Sequence, residues 1–143
     1  LYFHIKSKKF GTKTQNMVET KVRTKSAIHS EKLCKIVIEG MQEKKALDIV
    51  VLDLREIKGA VADFFVICSG NSDTQVEALM DSVAAQAYKT IGEDVWHKEG
   101  AMNREWILLD FVDVVAHIFK KDRRKFYGLE ELWGDAKITF VNE

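Results

Sequence analysis

At 143 residues and 16.4 kDa, with 46% hydrophobic and 31% charged residues, the chain has the size and balance of one globular domain with a modest extension. The formal net charge of zero conceals an asymmetry. Seven of the 22 basic residues but only Glu19 of the 22 acidic ones fall in residues 1–25, which leaves 15 basic and 21 acidic residues in the rest. A body of net charge −6 argues against a general nucleic-acid clamp, which needs a dense cationic face, and suits docking on a basic protein surface. No apolar run approaches the ~20 residues of a membrane span, and no apolar segment marks a secretory signal. Cys34 and Cys68 are too few for a disulfide framework. They are expected to be reduced, buried thiols in a cytoplasmic protein.

Residues 1–25 show neither helical nor strand periodicity and are rich in Lys and Thr. Residues 1–29 are therefore expected to form a flexible basic arm ahead of a domain spanning 30–143. Met17 opens a stretch that itself reads as a natural start, so residues 1–16 are expected to be either an appended segment or an upstream-extended beginning. A first helix is expected over Ser30–Lys45, capped by Ser30, with Leu33, Ile36, Val37 and Met41 at helical spacing. Residues 46–54, ALDIVVLDL, and 63–69, DFFVICS, are continuous apolar runs that suit strands buried on both faces. Gly70-Asn71 turns the chain into the best-defined helix. Ser72 and Gln75 form an S-x-x-Q capping box, Val76, Leu79, Met80, Val83, Ala87 and Ile91 make one apolar stripe, and Gly92 is a natural C′ residue. A strand, a helix and a strand at this spacing imply a crossover unit. A short strand near Val95–Lys98, a hairpin, a charged turn KKDRRK, a short helix over Leu129–Trp133 and a last strand over Lys137–Val141 complete the chain. The expected fold class is α/β, a single domain with a mixed sheet and helices packed mainly on one face.

The hairpin, REWILLDFVDVVAHIF, carries the most information. Folded at Val112-Asp113, it sets Phe111 opposite Val114, Leu109 opposite Ala116 and Ile107 opposite Ile118, all on one apolar face. The second face pairs Trp106 with Phe119, Leu108 with His117 and Asp110 with Val115. A one-sided sheet needs only one dry face, so the second is either buried by more chain or kept for a partner. Aromatic anchors favour the partner reading. Trp106, His117 and Phe119 are expected to present this open face with Asp110 at its edge, and Tyr127, Leu129, Glu130 and Trp133 to continue it. The acidic Glu99, Asp110 and Glu130 would steer a basic partner, and the same face would serve a homodimer of the free protein. Arg123 and Arg124 read either as a solvated turn or as contacts to RNA phosphate.

Residues in a catalytic pattern are few. His4, His29, His97 and His117 have no metal-ligand spacing with one another or with the cysteines, and no metal or cofactor is expected. His117 reads as a strand histidine with a hydrogen-bond partner or as an interface contact. SGNS at Ser69–Ser72 has one glycine and no following Lys, so it is neither a P-loop nor a dinucleotide fingerprint. A metal-dependent nucleotidyltransferase would need two carboxylates alternating on one strand. Asp110 and Asp113 are three apart across a turn, and Asp48 and Asp53 are five apart, so the chain is read as a non-enzyme. An RNA-binding module, using the basic arm and the KKDRRK turn, is the other alternative.

ALDIVVLDL, ADFFVICSGNSDTQV, the Glu99-Gly100 pair, WILLDFVDVVAHIF and RKFYGLEELWGDA together resemble the ribosomal silencing factors, the Iojap-like proteins. The resemblance covers about Ser30 to Ala136. It implies a nucleotidyltransferase-like topology without the catalytic carboxylates. It also implies binding to the large ribosomal subunit through ribosomal protein L-fourteen, which blocks joining of the small subunit and lowers translation when nutrients run short. One position departs: the family commonly has Gly where this chain has Val112, and a β-branched residue resists positive φ, so a different turn and a slipped register are open. On the open-face reading, Trp106→Ala is expected to weaken ribosome association and spare the fold.

Overall fold

A computed structural model describes residues 13–141. Helix α1 (Lys13–Glu43) leads into strands β1 (Leu47–Asp53) and β2 (Phe64–Gly70), then helix α2 (Asp73–Ile91). Strands β3 (His97–Glu99), β4 (Trp106–Asp110) and β5 (Val114–Lys120) follow, then helices α3 (Lys121–Tyr127) and α4 (Leu129–Leu132), and strand β6 (Lys137–Phe140). The six strands form one mixed sheet in the order β3-β4-β5-β2-β1-β6. β2 and β5 are parallel; the other neighbours are antiparallel. The α/β class is thus established.

Two elements differ from the expectations. The first helix continues back to Lys13, where an aperiodic arm was expected; the rest of that arm, residues 1–12, lies outside the described residues. KKDRRK is no turn but most of α3, a two-turn helix closed by Gly128 at φ +60°.

Local chemistry explains the elements that position the site. Ser72 accepts the Gln75 N–H at 3.1 Å, and the Gln75 carboxamide oxygen takes the Asn71 N–H at 2.7 Å, so the capping box starts α2. Gly92, at φ +68°, ends it. Seven consecutive buried residues make β2 the sheet's centre. One core lies between the sheet and the long helices, where Leu33, Val37 and Met41 of α1 meet Val76, Leu79 and Val83 of α2 and the Ile107, Leu109, Ile118 side of the hairpin. α1 and α2 approach closely at Gly40, where an added Cβ would stand 2.9 Å from Val83 Cα; Ser82 Oγ donates to the Gly40 carbonyl at 2.7 Å. A second core fills the opposite side of the sheet, built from Leu52, Phe65, Ile67, Trp106, Phe119, Leu129 and Trp133.

The hairpin keeps its expected register, from Trp106 opposite Phe119 to Asp110 opposite Val115. Val112 adopts φ +77°, and the Asp113 N–H bonds the Phe111 carbonyl at 3.1 Å, the i→i+2 closure of a γ-turn. Three hydrogen bonds hold this costly conformation. Asp110 Oδ1 accepts the Val112 N–H at 2.7 Å, and the Asp113 carbonyl accepts from the N–H groups of Asp63 at 2.7 Å and Phe64 at 3.2 Å. Val112→Gly is expected to stabilise the domain by about 0.5–1 kcal/mol, because relief of the positive φ exceeds the entropic cost of glycine. A rise in the urea midpoint at constant slope is the readout; an unchanged or lower midpoint refutes the strain.

Candidate protein interface

β4 and β5 bring Trp106 and Phe119 side by side, stacked at 5.0 Å between ring centres. Tyr127 of α3 lies 5.0 Å from Trp106. Trp106 Nε1–H donates to His117 Nδ1 at 3.0 Å, which places the proton of a neutral His117 on Nε2. That Nε2 is buried without a hydrogen-bond partner, and the imidazole meets the Phe65 ring edge-on at 4.5 Å. Phe65 in turn meets Trp133 edge-on at 5.5 Å. Burial pushes the His117 pKa down to about 3, so the ring is neutral at physiological pH.

The expected open face is therefore closed. Trp106 is 3% exposed and His117, Phe119 and Trp133 are 0% exposed. The chain itself supplies the cover: Leu129 and Trp133, expected to extend an exposed patch, turn inward and join Leu54, Ala60 and Ala62 from the loop between β1 and β2. Helix formation at KKDRRK causes this, because it swings Tyr127 over Trp106 and lets α4 fold beneath β2. The homodimer expected through the same face loses its surface for the same reason.

The remaining candidates divide. Arg124, expected as a solvated or phosphate-binding residue, has a side chain only 12% exposed. Its guanidinium donates to Glu130 Oε1 at 2.8 Å, the Asp48 carbonyl at 2.8 Å and Ser69 Oγ at 3.0 Å. This clamp satisfies the carbonyl at a β1 bulge, where Asp48 has φ +50°. Glu130 is thereby held by Arg124. Glu99 pairs with His97 at 2.9 Å, and Asp110 caps the hairpin turn. Cross-strand pairing of His97 with Asp110 and of Glu99 with Leu108 sets these polar groups on the Trp106 side of the sheet.

Arg123 packs over the Phe126 ring at 4.4 Å and ion-pairs with Glu105 at 3.5 Å. Tyr127 donates its hydroxyl to Glu105 at 3.0 Å. Phe126 is 70% exposed and touches Tyr127 edge-on at 5.3 Å. Reading the residues alone missed Phe126. The signal was available in Arg123-x-x-Phe126, a cation and an aromatic one helical turn apart, but only once that stretch is read as a helix. The surface is an exposed aromatic and a cation resting on a rigid internal stack and bordered by Glu105.

Nothing in this arrangement resembles a catalytic constellation. Burial pushes both Cys34 and Cys68 up to about 12, so each is held as an inert thiol. Among the described residues, no group of three or more His, Cys, Asp or Glu side chains could hold a metal ion, and no helix is long and apolar enough to cross a membrane.

Comparison with known proteins agrees with this architecture. A crystal structure of a Chromobacterium violaceum protein superposes with a TM-score of 0.69 at 33% identity, over 79% of this chain and 92% of that one. A Bacillus halodurans crystal structure gives a TM-score of 0.66 at 34% identity, over 79% and 99% of the two chains. The chain is 42% identical over 112 residues to the ribosomal silencing factor RsfS of Bacillus subtilis, covering 78% of this chain and 93% of that protein. It is 38% identical over 101 residues to the chloroplastic protein Iojap of Zea mays, covering 68% and 42% respectively. The family model described as ribosomal silencing factor during starvation matches residues 27–143, and the chain belongs to the ribosomal silencing factor family.

Proposed function

We propose that this protein binds the large ribosomal subunit through ribosomal protein L-fourteen and, by occupying that surface, keeps the small subunit from joining. Translation falls as a result, and no bond is made or broken. The observation that carries the reading is the exposed Phe126–Arg123 pair seated on the buried Trp106, Phe119 and Tyr127 stack. An aromatic anchor on a rigid base loses little conformational freedom on binding, and one such residue can supply a large share of an interface's free energy. Glu105 borders the anchor, and Glu99 and Asp110 stand farther along the same side of β3 and β4, acidic groups that orient a basic partner and raise its encounter rate. Family membership supports the same reading, because the bacterial relatives carry the name ribosomal silencing factor. A cytoplasmic location follows from it.

Phe126→Ala is expected to weaken co-sedimentation with purified large subunits by about 2 kcal/mol, some thirtyfold. Circular dichroism and melting should be unchanged, since the ring is mostly in solvent. Subunit joining, followed by light scattering, should recover in parallel. Full binding by the folded variant moves the contact elsewhere on the domain.

A further inference from the structure

On the far side of α3 from Phe126, a cleft of about 520 Å³ opens beyond the carboxyl ends of the parallel strands β2 and β5, which finish at Gly70 and Lys120. Clefts of this size and position commonly take small ligands in α/β sheets. Lys121, Arg124 and Lys125 share one face of α3 and line its cationic wall. Three acidic residues, Asp48, Glu130 and Glu131, also line the cleft, and Phe140 stands at its lip, 75% exposed.

Arg124 and Glu130 are paired in this cleft at 2.8 Å, but its two lysines are not. Lys121 and Lys125 make no ion pair or hydrogen bond among the described residues, although carboxylates line the same cavity. Arg124 is fixed by Glu130, the Asp48 carbonyl and Ser69 Oγ, which leaves its Nη2 donors without a partner among the described residues. A simple anion would meet the cations but also the carboxylates. A ligand with three different parts fits better: a phosphate for the ammonium groups and Nη2, hydroxyls for Asp48 and Glu131, and a flat ring for Phe140. From this we infer that the cleft is a metal-independent binding site for a nucleoside phosphate, with Lys121, Arg124 and Lys125 holding the phosphate and Phe140 stacking on the base. The site is separate from the ribosome-facing surface proposed above and does not depend on it.

The test is calorimetric titration of the full chain in EDTA with ADP, adenosine and inorganic pyrophosphate. Saturable one-site binding of ADP is expected, with both fragments weaker. Lys121→Ala combined with Lys125→Ala should weaken ADP and pyrophosphate by about tenfold or more, through the loss of charge-assisted contacts. Phe140→Ala should weaken ADP and adenosine but leave pyrophosphate unchanged. All three substituted side chains are exposed, and circular dichroism verifies the fold. Absence of saturable ADP binding at about 1 mM overturns the inference. So does binding that ignores the lysine substitutions, and so does pyrophosphate binding as tightly as ADP with no effect of Phe140→Ala, which identifies a plain anion patch. Tight binding of a short oligoribonucleotide without binding of ADP also overturns it, in favour of an RNA surface. No ribosome enters the assay, so its result is independent of the silencing function.

Discussion

Trp106→Ala is expected to destabilise the domain by about 3–5 kcal/mol, the range for truncating a buried aromatic, out of a total of about 5–15 kcal/mol for a typical domain. Three losses combine. The stack with Phe119 and Tyr127 disappears, a cavity opens in the second core, and His117 Nδ1 is left as a buried acceptor without its donor. This reverses the expectation that the variant would keep its fold and lose only its partner. Any loss of ribosome binding by Trp106→Ala would reflect unfolding, whereas Phe126→Ala probes the surface. Urea denaturation separates the two: Trp106→Ala should lower the midpoint steeply, and an unfolding free energy within about 1 kcal/mol of wild type would contradict the burial described.

Acid should weaken the native state well before its carboxylates protonate. His117 titrates at about 3 in the folded chain, against 6.5 when solvated, because burial disfavours the imidazolium. Between those values the unfolded chain binds the extra proton and the native chain does not, so stability falls as pH drops. The contribution is complete above pH 6.5 and is lost progressively toward pH 3. At 1.36 kcal/mol per unit, the loss between pH 7 and about pH 4.5 amounts to some 2–3 kcal/mol. Asp53 and Asp73 also favour the native state through partners that hold their carboxyls below the ordinary value, Arg55 and Lys120 respectively. Their contributions fade only at lower pH still. His117→Leu should be less stable at pH 7, having lost the Trp106–His117 hydrogen bond, yet should show a flatter profile from pH 7 to about 4.5. Equal slopes for the two proteins would remove His117 as the cause.

Much of the scaffold was legible in the residues because it is specified locally. The hairpin register follows from two-residue alternation, and it held although Val112 had to enter a positive-φ turn to preserve it. The Ser72–Gln75 box and Gly92 marked both ends of α2. The second face of the sheet was not legible in the same way. Alternation shows that Trp106, Leu108, Val115 and Phe119 share a side, but not whether solvent, a partner or the chain's own tail covers them. That depended on α3: read as a charged turn, KKDRRK leaves Leu129 and Trp133 outside, and read as a helix it carries them under the sheet. Arg124 shows the same limit, since nothing near it in sequence announces that its guanidinium reaches Asp48 and Ser69.

The pairing of β1 with β6 joins residues 50–53 to 137–140, so the sheet's outer strand on that side is the last of the six to be synthesised. Until it emerges, nascent β1 carries a row of unmatched amide and carbonyl groups along one border, open to neighbouring polypeptides. Premature termination before Lys137 would make that exposure permanent. Shielding of that border is therefore needed from the emergence of β1 until residues 137–140 have been made.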